Sequence, residues 1–433
     1  MNKEKRKEIL NRGLPNIKWE GEPMLGAWYT EEEIEAVVKA IRDSMDWTVG
    51  FGFFCDEIVE FEEQFANYCG TKYAISISSA GAGLDMAMMA LDLEPDDEII
   101  SPAINFWAAD YAILGHCKLI FAEVDPKTLC LDPADVERRI TPRTRAINVT
   151  HMNGLSAPMD ELLEIAQKHP HPKYGPLKVI GDAARACGGE YKGTKVGKKG
   201  WMNIFSFHTM KLMTTLGEGG MITTDDPVLN ERLRATRMWG ANTDQWGVNY
   251  KMTKVQAAAG QVQLRRLDEM NAARYKKGQQ RSELLNDVSE LALPFEPPGY
   301  KHTYYLYTCM VPREWAGNRR DRLVTMLQKD YRVGCGILNP PTYQMRTFVR
   351  ERTLGQDLPL SNEIGTRIFT PSLHPLMSDR DNEYIAASVS DAVERIALES
   401  AGEPQETTKY KYDIALKDTQ ELFSDSPKTK EKL

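Results

Sequence analysis

Four side chains in this sequence have the types and settings needed for chemistry on a flat, charged ring. They are Phe106 in SPAINFW, Asp182 in KVIGDAARACGG, and Ser206 and Lys211 in FSFHTMKLMTTLGEGGM. Lys211 follows an apolar run, sits in a hydroxyl-rich turn and precedes a glycine triplet. Such a lysine is either a solvated loop charge or an amine with a depressed pKa that attacks a carbonyl. Asp182 closes another apolar run, where a carboxylate either caps the following helix or pairs with a cation in a cleft. Phe106 either stacks on a planar ring or packs beneath a loop.

A fourth kind of group comes from the backbone. SISSAGAGLDMAMMAL, residues 76 to 91, passes from an apolar run through small residues into a helical pattern. Amides at such a turn bind phosphate, although small residues also suit a tight turn on steric grounds alone. The stretch is neither a Gly-Lys-Ser/Thr loop nor a GxGxxG turn. In chain order the sequence thus holds a phosphate-type turn, a stacking aromatic, a carboxylate and a lysine. Pyridoxal 5'-phosphate needs all four: amides for its phosphate, a ring partner, a carboxylate for its pyridinium nitrogen and an amine for its aldehyde.

The elements that position these groups alternate from about residue 73. YAISISS, DEIISP, KLIFAEV, AINVTHM, KVIGDAA and NIFSFH read as strands, and helical patterns such as LDMAMMALDL and MDELLEIAQKH lie between them. That alternation predicts a mostly parallel sheet covered on both faces, with ligands beyond its carboxyl edge. EEEIEAVVKAIRD, residues 31 to 43, predicts an amphipathic helix with Ile34, Val37, Val38 and Ile41 on one side. Residues 254 to 285 predict one long helix, free of proline. After it YYLYTCMVP and VGCGIL read as strands, RRDRLVTMLQKDYR as a helix, and 384 to 399 as a late helix. The expected organisation is an N-terminal arm (1–25), a large cofactor-binding domain (26–260), a smaller C-terminal α/β domain (261–400) and a polar tail (401–433).

Composition narrows the class. With 54 basic and 62 acidic residues the net charge is −8, which argues against a general nucleic-acid binder. The seven cysteines are scattered, odd in number and without metal-type spacing, so free thiols and a cytoplasmic setting are expected. The histidines of HPHPKYGP (169 to 176) have no acidic or cysteine neighbours and form a poor metal set. No apolar run is long enough for a membrane span, and no leader follows the basic start.

SFHTMKLMTTLGEGGMITTDD, ITPRTRAINVTHMNG and NYKMTKVQAAAGQVQLRRLD together resemble the DegT/StrS-type sugar aminotransferases, a branch of the fold type I pyridoxal-phosphate enzymes, over roughly residues 30 to 400. The resemblance implies that Lys211 is the lysine that forms the Schiff base and that Ser206 contacts the phosphate. It implies that Asp182 holds the pyridinium proton and that Phe106 lies against the ring. Asn249 matches an asparagine that reaches the neighbouring subunit's phosphate, which implies a homodimer with composite sites.

The chain also departs from the family pattern. Ser79-Ala80-Gly81 stands where the family has Ser-Gly-Thr, so the amides of Ala80 and Gly81 remain but a hydroxyl contact is lost. Arg185 stands where the family has a glutamine beside the phenolic oxygen; a fixed cation there stabilises a phenolate or binds a substrate carboxylate. Lys251 replaces an arginine. The implied partners are glutamate or glutamine as amino donor and a ketosugar, usually nucleotide-linked, or a keto-cyclitol as acceptor, with pyridoxamine 5'-phosphate formed between the two half-reactions. The rival readings are a dehydratase of the same family, whose members carry histidine where Lys211 stands, and a cofactor-binding sensor without turnover.

Overall fold

The computed structural model describes residues 1–14, 28–50, 52, 55–241 and 243–399. Residues 15–25 of the expected arm, the tail from 401 and part of DWTVGFGFF lie outside the described residues. The chain is mixed α/β, built on a central sheet of β1 (Tyr73–Ile77), β2 (Glu98–Pro102), β3 (Lys118–Ala122), β4 (Thr144–Thr150), β5 (Lys178–Asp182), β6 (Met202–Ser206) and β7 (Gly220–Thr224). The spatial order is β1-β7-β6-β5-β4-β2-β3. Strands β6, β5, β4, β2 and β3 pair in parallel, and β7 is antiparallel to both β6 and β1. Six strands therefore end at one edge.

The short strands read as continuous apolar runs because helices cover both faces of the sheet; β2, β6 and β7 are buried at every position. Strand β7 was missing from the strand pattern read in the sequence. Its first residue, Gly220, belongs to a glycine triplet that reads as turn, yet it pairs with Ser206 across the ladder.

Helices α1 (Lys3–Asn11), α2 (Glu31–Asp43), α3 (Asp56–Cys69), α4 (Ala80–Ala90) and α5 (Ala108–Leu114) precede the long α6 (Lys254–Leu285). Helix α6 begins at a capping box in which Thr253 and Gln256 satisfy each other's backbone, and spans 32 residues. The expected division at 260/261 falls inside it. Glu62 on α3 fastens that helix to the sheet: its carboxylate accepts the Ser76 amide and hydroxyl at 2.8 Å each, Arg237 at 2.6 Å and Arg234 at 2.7 Å. Burial alone would raise the Glu62 carboxyl, but the two guanidiniums outweigh it and hold it below the usual carboxylate range.

Helix α2 has the expected bounds. Ile34 and Ile41 remain exposed, while Glu33 is buried against Gln263 and Arg266 of α6. Val37 and Val38 of the stripe are half-buried and Ala40 is buried, and the polar contacts of Glu33 add to the seating on α6.

Beyond α6, the strands β8 (Cys309–Met310), β9 (Cys335–Gly336) and β10 (Ile368–Pro371) form a small antiparallel sheet, with β10 in the middle. It packs with α7 (Asn318–Lys329) and α8 (Asp379–Glu399) around Tyr307, Leu323, Leu327, Phe369 and Val389. Ile9 of α1 joins this core, so part of the expected arm is a helix packed on α8. The strand expected over YYLYTCMVP shrinks to two residues. Tyr304 has φ +50°, a conformation that breaks a ladder, so Tyr305 reaches the site on irregular chain while Tyr304 and Tyr307 pack in the core of the small sheet. No helix among the described residues is long and apolar enough to cross a membrane, and all seven cysteines are free.

Candidate active site

At the carboxyl edge the chain turns from β1 into α4. Ser79 caps the helix, its hydroxyl oxygen accepting the Ala82 amide at 3.1 Å. The amides of Ala80 and Gly81 open the helix, where backbone N–H groups have no intrahelical acceptor and the helix dipole is positive. Gly83 lets α4 lie close on the sheet: an added Cβ would stand 2.6 Å from Ile77 Cδ1. Gly220 does the same for the turn itself, since a Cβ there would meet the Phe205 carbonyl oxygen at 2.6 Å and the Ala80 nitrogen at 3.0 Å. Through Gly220, the ladder partner of both Ile77 and Ser206, the α4 turn and Ser206 share one corner. Gly220→Ala is expected to destabilise the chain by about 1–3 kcal/mol and to weaken phosphate binding, checked by urea unfolding and by cofactor titration.

From Ser206 the chain loops back to β7 with Lys211 on the loop. The loop is pinned by Phe207 N to the Gly219 carbonyl at 2.9 Å, Thr215 N to the Phe207 carbonyl at 3.1 Å and Lys211 N to the His208 carbonyl at 2.9 Å. Gly219 holds φ +150° beside the Thr215 side chain, so glycine is required there sterically. Glu218 orders the turn through its backbone, whose carbonyl accepts Thr215 Oγ1 at 2.7 Å. Lys211 itself is half-buried, and its Nζ donates to the Tyr305 hydroxyl at 3.0 Å. The amine also lies 4.7 Å from the Tyr305 ring centroid.

Asp182 ends β5 in a buried position and accepts the Ala184 amide at 3.1 Å. Burial pushes its carboxyl above the ordinary value, and the Ala184 amide, Arg185 and Lys211 offset only part of that shift. A buried carboxylate in this condition gains from a cation placed against it. Arg185 is also buried; it donates to Asn339 Oδ1 at 2.8 Å and lies 5.8 Å from the Tyr305 ring centroid. His151, at the end of the neighbouring strand with its amide donating to the Asp182 carbonyl at 3.0 Å, is held neutral by burial. Burial pushes its imidazole down to about 4, and its Nδ1 accepts the Ala157 amide at 3.1 Å.

Phe106 is 44% exposed at the mouth and packs against Trp107, with ring centroids 4.2 Å apart. Asn249 is exposed and accepts Lys251 Nζ at 2.5 Å; the next carbonyl, that of Tyr250, accepts the Ser78 amide at 2.7 Å. The structure thus brings together Ala80, Gly81, Ser206, Lys211, Asp182 and Arg185, with Phe106 at the mouth and Asn249 on the outer segment beside the α4 turn. Sequence reasoning missed three neighbours: Tyr305, Asn339 and Asp110. The last is fully buried near Asp182, accepts Asn105 Nδ2 at 3.1 Å, and is pushed up to about 7 by burial. The tyrosine-rich HTYYLYT was the one available signal for Tyr305.

Comparison with known proteins places this geometry in context. The GDP-perosamine synthase of Caulobacter vibrioides is 33% identical over 368 residues, covering 82% of this chain and 94% of that protein. The spore coat polysaccharide biosynthesis protein SpsC of Bacillus subtilis is 30% identical over 393 residues, covering 86% and 96%. Among solved structures, DesV of S. venezuelae superposes with a TM-score of 0.77 at 28% identity over 86% of this chain and 97% of that one. The sequence profile of the DegT/DnrJ/EryC1/StrS aminotransferase family matches residues 29–390, and the chain belongs to that family.

Proposed function

We propose that this chain is a pyridoxal-phosphate-dependent aminotransferase that moves an amino group from glutamate or glutamine to a nucleotide-linked ketosugar or to a keto-cyclitol. The observation that carries the reading is the meeting of a half-buried lysine amine, a buried carboxylate raised by burial, and the open amides of α4 at one sheet edge. These residues fit the cofactor. The amides of Ala80 and Gly81 and the Ser206 hydroxyl suit a phosphate, Asp182 suits a cationic ring nitrogen, and the exposed Phe106 offers a face. Arg185, held by Asn339, supplies a fixed positive charge for a phenolate oxygen or a substrate carboxylate.

Bound there, pyridoxal 5'-phosphate supplies an aldehyde for an amine and an electron-withdrawing ring. Asp182 would hold a cationic ring nitrogen, because its own burial makes a neighbouring cation favourable. Lys211 would hold the group through its amine, and its Nζ is placed to act as the base that takes the donor's α-proton and delivers it to the carbon that receives the amino group. Tyr305 holds that nitrogen in reach, and the exclusion of water around Asp182 strengthens each charge interaction.

A homodimer with Asn249 reaching the partner's phosphate belongs to the same reading. It is supported by apolar side chains left in solvent on this single chain, among them Trp47 at 92% and Trp246 at 72% exposure. Cytoplasmic residence is supported by the free thiols.

The test is a half-reaction. Incubated with pyridoxal 5'-phosphate and stoichiometric glutamate or glutamine, the protein is expected to yield pyridoxamine 5'-phosphate and the matching 2-oxo acid. Conversion by no amino acid would overturn the reading in favour of a sensor. A panel of ketosugars and keto-cyclitols offered to the aminated protein then identifies the acceptor.

A further inference from the structure

The helix that follows Phe106 carries a buried carboxyl that the proposed chemistry does not use. Asp110, in the first turn of α5, is fully buried and accepts Asn105 Nδ2 at 3.1 Å. Its other oxygen, Oδ2, has no hydrogen-bond partner among the described residues. Among the same residues no lysine, arginine or histidine pairs with it. Arg346, on the segment after Thr342, lies instead over the Trp107 ring, 3.7 Å from its centroid. The charged group that acts on Asp110 is Asp182, at the end of β5, and its charge has the same sign.

The surroundings are short of donors. Asn105 is buried, and its Nδ2 donates to the Pro102 carbonyl at 2.7 Å as well as to Asp110, while its Oδ1 is unpaired. The Ser101 hydroxyl oxygen, on β2, accepts Asn105 Nδ2 at 3.5 Å and Asn148 Nδ2 of β4 at 3.1 Å; Asn148 Oδ1 is also unpaired. Three buried acceptors, Asn105 Oδ1, Asn148 Oδ1 and Asp110 Oδ2, thus lack a donor in one cluster. An ionised carboxyl only accepts and deepens that shortage, whereas a neutral acid supplies an O–H donor. Burial pushes the Asp110 carboxyl up to about 7; the Thr342 hydroxyl and the Asn105 amide offset part of the rise, and Asp182 adds to it.

Asn105 connects this cluster to the site. Its bond to the Pro102 carbonyl closes the turn between β2 and Phe106, and the Thr342 amide holds the same turn by donating to the Ala103 carbonyl at 2.9 Å. We propose that Asp110 is a positioning residue of the candidate active site: as a neutral acid it fixes the Asn105 amide, and through it the turn that presents Phe106 to the cofactor ring, without setting a second negative charge beside Asp182. The role toward Phe106 rests on the aminotransferase reading; the neutral state of Asp110 in the cofactor-free chain does not. An asparagine side chain reproduces the neutral acid, with an acceptor for Asn105 Nδ2 and an N–H donor in place of the O–H.

The test compares Asp110→Asn and Asp110→Val with the unaltered full chain, far-UV circular dichroism checking the fold. A carboxyl raised in the folded state contributes stability that is complete below its unfolded pKa and is lost as pH rises through the folded value. Without cofactor, the melting temperature of Asp110→Asn minus that of the unaltered chain is therefore expected to grow by about 2 °C or more between pH 6 and pH 8.5. With pyridoxal 5'-phosphate at pH 6, Asp110→Asn is expected to keep the affinity within about threefold and to keep the visible circular dichroism of the bound cofactor. Asp110→Val is expected to bind at least about fivefold more weakly, with that signal at least halved. The inference is overturned if the melting difference does not grow with pH, if Asp110→Asn loses cofactor binding, or if Asp110→Val binds like the unaltered chain. Failure of the unaltered chain to bind the cofactor at all is a separate result, which overturns the aminotransferase reading and the positioning role with it.

Discussion

Lys211→Ala is expected to lose transamination by about 10³-fold or more while keeping the fold. The lysine is half-buried on a loop pinned by backbone hydrogen bonds of its neighbours, so removing its side chain leaves the loop's own ladder intact. What disappears is an amine within reach of the cleft and its bond to Tyr305. Lys211→Arg separates two explanations. Arginine retains the positive charge but stays protonated at any working pH and cannot attack a carbonyl. If the charge alone mattered, Lys211→Arg would keep most of the activity; the nucleophile account requires both variants to fail alike. Steady-state turnover and circular dichroism of the pair decide the matter.

The second large effect is at Asp182. Asp182→Asn is expected to lower turnover by about 10²–10³-fold and to weaken cofactor binding, because an amide cannot hold a proton on the facing nitrogen. The stability effect has the opposite sign. In the cofactor-free chain the folded Asp182 carboxyl is raised by burial, so the folded state binds a proton more tightly than the unfolded state. Its favourable contribution is complete below the unfolded pKa and is lost as pH rises through the folded value. As pH rises through the folded value, ionising this side chain therefore weighs against the empty fold, and Asp182→Asn is expected to melt at an equal or higher temperature without cofactor. Asparagine can still accept the Ala184 amide. Thermal melts at pH 7.5 with and without pyridoxal 5'-phosphate check this: the cofactor should raise the melting temperature of the unaltered chain more than that of the variant. A loss of stability without cofactor would mean that Asp182 is chiefly a structural cap.

Asp182, Ser206 and Lys211 were legible in the sequence for one physical reason. Each closes or follows a short apolar run, and in a parallel sheet buried on both faces such runs end at the ligand edge. The turn from Ser79 to Gly81 was legible for a related reason, because small residues between a strand and a helix leave amides uncovered. Tyr305 was not legible as a partner of Lys211, which lies 94 residues earlier, because only the packing of the chain after α6 brings them together. The alternation of apolar residues around it read as a strand, whereas Tyr304 in the left-handed region breaks that strand and delivers the ring. Arg185 was visible as a departure in type, but its anchoring by Asn339 was hidden, since NPPTY reads as a proline-shaped turn. Helix α2 shows the same limit from the other side. Its stripe of Ile34 and Ile41 marked a helix correctly without saying what the stripe faces.

Lys211 is the proposed nucleophile of the site. The direct measurement is to incubate the purified chain with pyridoxal 5'-phosphate, reduce with borohydride, digest, and map the modified peptide by mass spectrometry. The expected result is one stoichiometric phosphopyridoxyl group on Lys211, lost in the Lys211→Ala variant. A stoichiometric adduct on another lysine, or none at all, would contradict the account.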